Sequence, residues 1–189
     1  MARAKAKGRA RTGGRRAGTA KDAIALLKAD HRQVEQWFGQ FEKARDEQRK
    51  LELATSICNA LKVHATIEEE IFYPAFIEAT DDKDLHHEAI VEHDGAKKLI
   101  AEIEASGPED DFYDAKVTVL SEMIKHHVKE EEQPGGMFAE ARKSDMDLAA
   151  LGEQLAARKA GLEGEIGAAA VSPGARRGRN GGSRVASRH

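Results

Sequence analysis

The sequence predicts an all-α protein, an up-down-up-down four-helix bundle, on three observations. Gly and Pro gather at the ends and at a few junctions, leaving long runs rich in Ala, Leu, Glu and Lys, a composition that favours helix. Within those runs apolar residues recur at steps of three and four, as one face of a helix requires. Four such runs are each roughly 25 residues, or about 37 Å at 1.5 Å per residue, and short connections between long helices make neighbours antiparallel. No stretch alternates with the period of a strand. The 189 residues hold one good-sized domain plus tails, and we divide them into a basic tail (1–20), the bundle (21–160) and a second basic tail (161–189).

The first helical run extends from about Lys21 to Glu47, with Ile24, Leu27, Val34, Phe38 and Phe41 on one face and His31 in the gap of that row. The second, about Leu51 to Ala79, carries Ile57, Leu61, Ile71 and Ala75, and His64 and Glu68 continue the same face. Pro74 is expected to bend it or end its regular part. The third, about Asp82 to Ala105, places His86 and His93 on a stripe with Ile90, Ile100 and Ile103. Ser106-Gly107-Pro108 breaks the chain, and Pro108 with Glu109 and Asp110 suits a helix start. The fourth runs to about Gln133 with a face of Phe112, Lys116, Leu120, Ile124, His127 and Glu131, and Pro134-Gly135-Gly136 stops it. A short additional C-terminal helix, about Asp145 to Ala160, has Leu148, Leu151 and Leu155 at helical spacing and is expected to pack outside the bundle.

The net charge of −3 conceals an asymmetry. Residues 1–21 hold eight Lys/Arg and residues 172–189 five Arg, with no acid in either, so 17 basic residues face all 33 acidic ones in between. The tails are rich in Gly, Ala and Ser and bury too little apolar surface to fold alone, so we expect them to be disordered. Three readings of them stand: solvated chain, a weak electrostatic contact with nucleic acid or with the acidic domain, or, for the first, an Arg-rich transit peptide. No apolar run approaches the roughly 18 residues of a membrane span. The lone Cys58 excludes an internal disulfide, is read as an inert thiol, and suits a reducing, cytoplasmic setting.

Function is carried by the histidines. One buried His commonly means only a hydrogen-bonded core residue, but a Glu on an apolar face costs several kcal/mol unless it is partnered. Here two faces carry the same pair, His64/Glu68 and His127/Glu131, whose i, i+4 spacing projects a nitrogen and an oxygen side by side. Heights agree as well. His31 lies about 17 residues before the first turn and His64 about 16 after it, and His93 and His127 stand at nearly the same level across the other two turns. Four histidines and two glutamates on four helices thus point to a shared metal site. His86, about 10 Å along the axis from His93, is too far to join it, and His87 is expected to be exposed. His126 with Glu130 repeats the spacing of His127 with Glu131, and phase with Leu120 and Ile124 favours the latter pair. Glu70 and Glu132 are read as facing solvent. There is no Ser/His/Asp or Cys/His nucleophile set, phosphate loop or dinucleotide motif, so hydrolase and kinase readings have no support.

The order of these motifs resembles the hemerythrin-like, or HHE cation-binding, domain over about residues 20 to 160. The resemblance rests on Asp30-His31 on the first helix, H-x-x-x-E-E at His64 to Glu69, Glu92-His93, and H-x-x-x-E-E at His127 to Glu132. The run Ile71 to Pro74, and Met137-Phe138 followed by Ala141-Arg142-Lys143, are similar too. It implies two non-haem iron ions, oxo- or hydroxo-bridged, with manganese as an alternative. His31 and His64 would hold one ion, His93 and His127 the other, and Glu68 and Glu131 would bridge them. Hemerythrins proper carry a second His four residues from the first on the third helix. Here those positions are Ala89 and Lys97, which implies open coordination positions for water, oxygen, peroxide or nitric oxide. The expected function is binding or sensing oxygen or a related small ligand. The alternatives are an enzyme decomposing peroxide or nitric oxide, and an iron-handling protein.

Overall fold

The computed structural model describes residues 22–171, and the expectations for the two tails fall largely outside them. The described residues contain helices and no strand. Helix α1 is Ala23–Phe41, α2 Glu47–Ile67, α3 Tyr73–Thr80, α4 Lys83–Glu104, α5 Tyr113–Glu132, α6 Met137–Lys143 and α7 Leu148–Val171. Asp22, Asp46 and Asp82 cap α1, α2 and α4, each carboxylate accepting from the backbone N–H three residues on, which satisfies a donor that the first turn leaves unpaired. Among the described residues no helix is long and apolar enough to cross a membrane.

Helices α1, α2, α4 and α5 form the bundle: α1 packs on α2 and α5, and α4 on α5 and α2. Its core falls into two parts with the polar cluster between them. One part is built on Val34, Phe38, Leu61, Ile100 and Leu120, the other on Ile24, Leu27, Phe72, Phe76 and Phe138. Cys58 lies in the first part, and burial pushes its thiol up to about 12, which keeps it protonated and unreactive.

Four local readings need correction. Between α2 and α3, residues Glu68–Phe72 form one π-helical turn, with the Tyr73 N–H donating to the carbonyl of Glu68 five residues back. Pro74 has no N–H to give to the carbonyl of Glu70, and its ring would press on that carbonyl in a regular α-helix. Opening the helix by one residue just before the proline removes the conflict. The inward face therefore shifts by one position: Phe72, Tyr73 and Phe76 are fully buried, whereas Ile71 and Ala75 are only half-buried.

The fourth helix starts at Tyr113, later than Pro108. Residues 108–112 turn instead, with the Phe112 N–H donating to Asp110. Phe112 stays 70% exposed and Tyr113 takes its place in the core. After Pro134-Gly135-Gly136, α6 is an unforeseen short helix. Gly135 has a φ of 84°, left-handed backbone that favours glycine, and a Cβ on Gly136 would lie 2.0 Å from the Glu130 carbonyl oxygen. That tight turn folds α6 back so that Met137 and Phe138 are buried. Finally, α7 continues to Val171, past the boundary at 160, and packs along α1, α2 and the π turn.

Candidate metal centre

Each bundle helix contributes one histidine to a single layer, and the rings meet in pairs through Nε2. His31 Nε2 is 3.0 Å from His64 Nε2, and His93 Nε2 is 3.3 Å from His127 Nε2. Two donors set at right angles about 2.1 Å from one ion lie about 3 Å apart, so each pair has the spacing of two ligands on one cation. All four rings are buried.

One helical turn below lie Glu68 and Glu131, 0% and 2% exposed. Each reaches one ring of each pair. Glu68 stands 3.2 Å from His64 Nε2 and 3.5 Å from His93 Nε2, and Glu131 stands 3.3 Å from His31 Nε2 and 3.7 Å from His127 Nε2. One oxygen of each carboxylate, Glu68 Oε1 and Glu131 Oε2, is buried without a hydrogen bond. A carboxylate so placed needs a cation. His31, His64, Glu68 and Glu131 bring one donor each within 4.8 Å of one another, as do Glu68, His93 and His127. The six residues singled out in the sequence therefore converge, and their donor chemistry fits a pair of cations.

A second ring of carboxylates aims the imidazoles. His31 Nδ1 bonds Glu132 Oε1 at 2.9 Å, His93 Nδ1 bonds Glu69 Oε1 at 2.8 Å, and His127 Nδ1 bonds Glu92 Oε2 at 2.7 Å. Asp30 Oδ2 stands 3.6 Å from His64 Nδ1. The carboxylate always comes from a neighbouring helix, so Asp30 serves α2, Glu69 serves α4, Glu92 serves α5 and Glu132 returns to α1. At His31, His93 and His127 an Nδ1–H donating outward turns the Nε2 lone pair inward, the tautomer a metal requires, whereas His64 Nδ1 has no hydrogen-bond partner.

These four carboxylates are what the sequence reading missed, and the signal was present. Each adjoins an inward-facing residue of the motifs: Asp30-His31, Glu68-Glu69, Glu92-His93 and Glu131-Glu132. Glu132 in particular does not face solvent. It bonds His31 and Arg32, and the His31 hydrogen bond holds its carboxyl down at about 2. Glu70 does lie at the surface, paired with Arg158.

Tyr73 was also missed, because the π turn brings it below Glu68 where a regular helix would not. Its hydroxyl lies 3.3 Å from Glu131 Oε1 and from His93 Nε2, and 3.4 Å from Glu68 Oε2. Burial and the two carboxylates push its pKa well above the ordinary phenol value. On the fourth helix His127 points in and His126 is 60% exposed at its side chain. His87 is exposed, and His86 is half-buried with its ring edge-on to Tyr73.

Charge in the cluster is shared unequally. Burial opposes a charged imidazole at His64, but Glu68 and Asp30 outweigh it and raise its pKa to about 10. The same contest at His127, won by Glu131 and Glu92, gives about 9. At His93 burial, helped by the charge on His127, wins over Glu68 and moves the pKa down. Glu68 itself, despite burial, is held well below the usual carboxylate range by His64.

On the side of the histidine layer away from the glutamates is a partly open cavity of about 30 Å³, lined mainly by Val34, Leu61, Ala96, Ile100, Ile124 and the four rings. That is room for one or two atoms beyond hydrogen, the size of water or a diatomic molecule.

Fold and site together define a helical-bundle domain built to bind metal cations. Residues 22–134 match the family described as the Hemerythrin HHE cation binding domain, and the chain belongs to that family. A hemerythrin HHE cation-binding domain-containing protein from Mycobacterium kansasii has a similar fold. The TM-score is 0.64 at 24% identity, over 77% of this chain and 89% of that one. Among curated proteins, a DNA nickase from Nostoc sp. is 28% identical over 120 residues, which is 62% of this chain. This chain matches only 32% of that protein's length.

Substitution should separate the inner pair from its neighbours. His127→Ala is expected to lower the bound metal per chain, and His126→Ala to leave it unchanged, in elemental analysis of the purified protein. Glu132→Gln should weaken metal binding by about 10- to 100-fold through loss of the hold on His31, whereas Glu70→Gln should have no effect. Equal losses at Glu70 and Glu132 would contradict the geometry.

Protons should also be displaced. With pKa values of about 10 and 9, His64 and His127 carry protons at neutral pH when no cation is bound. A cation needs their Nε2 lone pairs, so binding releases those protons, and affinity rises with pH until the imidazoles are already neutral. With one proton displaced by each ion, the affinity for each should climb about tenfold per pH unit near neutrality. Titrating the metal-depleted protein with a divalent cation in weakly buffered indicator solution reads the release directly, and absence of acidification would refute it.

Proposed function

We propose that this domain holds two non-haem iron ions and takes up oxygen or a related small ligand on the cavity side of the histidine layer. The observation that carries the reading is the arrangement of donors: two pairs of inward Nε2 atoms, each pair reached by both buried glutamates. Imidazole nitrogen with carboxylate oxygen suits iron, and also manganese. Bound iron would supply redox-active positions open to a small molecule.

The chain's own residues do the rest. His31 and His64 would hold one ion and His93 and His127 the other, with Glu68 and Glu131 between. Asp30, Glu69, Glu92 and Glu132 keep the rings turned inward. Val34, Leu61, Ala96, Ile100 and Ile124 keep bulk water from the open side. Lys97, at one of the positions where a hemerythrin's extra His would stand, is occupied by Glu69 at 2.6 Å and 2.7 Å, and Ala89 is a buried apolar residue. Neither supplies a ligand, so open positions remain. The up-down-up-down order of the four long helices is part of this reading, since it sets the four histidines level.

An enzyme that decomposes peroxide or nitric oxide is the second reading, favoured by one observation. The Tyr73 hydroxyl carries a proton within 3.3 Å to 3.4 Å of both glutamates, a placement suited to proton transfer at the site. An iron-handling role uses the same donors without a small ligand.

Metal analysis together with the optical spectrum of aerobically purified protein should show about two irons per chain and an oxo-bridge charge-transfer band. Ala96→Leu, which fills the cavity, should keep the iron and weaken oxygen, nitric oxide or azide binding by roughly tenfold or more. If Ala96→Leu changes neither, the small-ligand reading fails and iron handling is preferred.

We further propose that the basic segments make a sequence-independent contact with nucleic acid, in keeping with the resemblance to a relative named as a DNA nickase. They carry 13 Lys/Arg and no acid, so binding should fall steeply with salt. A chain shortened to residues 22–171 should keep its metal and lose duplex DNA binding in a filter or anisotropy assay, because its own charge is strongly acidic. Binding retained by the shortened chain would overturn the contact.

A further inference from the structure

Three of the four carboxylates that aim the histidines are paired with a cation. Asp30 pairs with Lys159 of α7, Glu69 with Lys97, and Glu132 with Arg32 at 2.5 Å and Lys28 at 3.2 Å. The fourth, Glu92, is different. Among the described residues no Lys or Arg lies within ion-pair distance of it. Its second oxygen, Oε1, stands 3.4 Å from His126 Nε2, which is itself 3.1 Å from Glu130 Oε1.

Glu92, His126 and Glu130 thus bring one oxygen or nitrogen donor each within 4.8 Å of one another, at the surface between α4 and α5. Beside it is a narrow cleft of about 10 Å³, lined by Glu88, Glu92 and Glu130, by His127 and Glu131, and by the apolar Leu85, Ala89 and Met137. Glu131 is 2% exposed, and its Oε2 has no hydrogen-bond partner. Glu92 and Glu130 belong to both the surface cluster and the cleft, and Glu92 bonds His127 on its inner oxygen.

We propose that Glu92, His126 and Glu130 form an external docking site for a divalent cation, and that this corner of the bundle is the route by which the buried centre is loaded. The inference rests on the buried cluster being the cation centre, as proposed above. The chemistry is that of a transient station. One imidazole and two carboxylates bind a first-row divalent ion without enclosing it, because His126 is largely exposed. Glu88 and the other carboxylates concentrate cations at the mouth. Glu92 faces both histidines, His126 with Oε1 and the outward Nδ1 of His127 with Oε2, so an ion passing inward here would have to move Glu92 and the His127 ring. At the other three corners an incoming divalent ion would have to displace a lysine or arginine.

The test uses the full chain, stripped of metal by chelation and mixed anaerobically with ferrous iron at low ionic strength. A chromophoric chelator added at set times removes unbound iron, and the iron retained by the protein gives both the loading rate and the endpoint. The His126→Gln, Glu130→Gln double variant should reach the wild-type endpoint but load about tenfold more slowly, with a rate less sensitive to salt. Glu102→Gln, an equal loss of charge elsewhere on α4, should load at the wild-type rate. Unchanged loading in the double variant overturns the route while leaving the buried centre intact. A lowered endpoint with normal helix content also overturns it, since these residues would then belong to the centre itself. Failure of the wild-type chain to retain iron would refute the centre, and the route with it.

Discussion

Two carboxylates with almost no exposure to water, Glu68 and Glu131, sit in the middle of a bundle between two apolar parts of its core. Placing even one there costs several kcal/mol unless positive charge is held close by. The rest of the site follows from that constraint. Four imidazoles converge on the two carboxylates, and where no cation is present protons on His64 and His127 supply the charge. A metal ion and those protons compete for the same lone pairs, so the centre is at once a cation site and a buried acid–base cluster.

The imidazoles can serve only if they present Nε2 inward, and the second carboxylate ring arranges this. Because Asp30, Glu69, Glu92 and Glu132 each aim the histidine of a neighbouring helix, the ring also ties α1, α2, α4 and α5 together around the centre. Structural and functional roles coincide here: the hydrogen bonds that set the tautomers of His31, His93 and His127 also hold the helices in register. Lys or Arg pairs with the ring at three corners, and at the fourth Glu92 faces His126.

Local backbone detail then shapes the floor and the roof. The π turn before Pro74 rotates Tyr73 under the glutamates, and the Gly135-Gly136 turn returns Phe138 beneath His31, where the two rings stack 5.8 Å apart. Above the histidines, aliphatic residues one turn away on each helix leave a space scaled to a diatomic molecule. The two sides of the histidine layer are therefore unlike, a polar floor that carries the Tyr73 hydroxyl and an apolar roof.

Much of this was legible in the residues alone. A three-and-four spacing fixes which side of a regular helix faces the core, so Ile24, Leu27, Val34 and Phe38 around His31, and Leu120 around His127, were enough to find the inner histidines and to separate His127 from His126. Height along antiparallel helices depends only on counting, so the shared level of four histidines was also readable. What the sequence could not decide was anything resting on contact between helices or on a break in periodicity. Glu132 reads as solvent-facing because its own helix turns it outward, and only the neighbouring α1, with His31 and Arg32, makes it part of the centre. Pro74 marks a break in the second helix, but that the break is a single π turn, which carries Tyr73 inward, is shown only by the structure. Local repetition is written in the order of residues, but which carboxylate meets which imidazole is settled only when four helices pack and unpaired charge must find its partner.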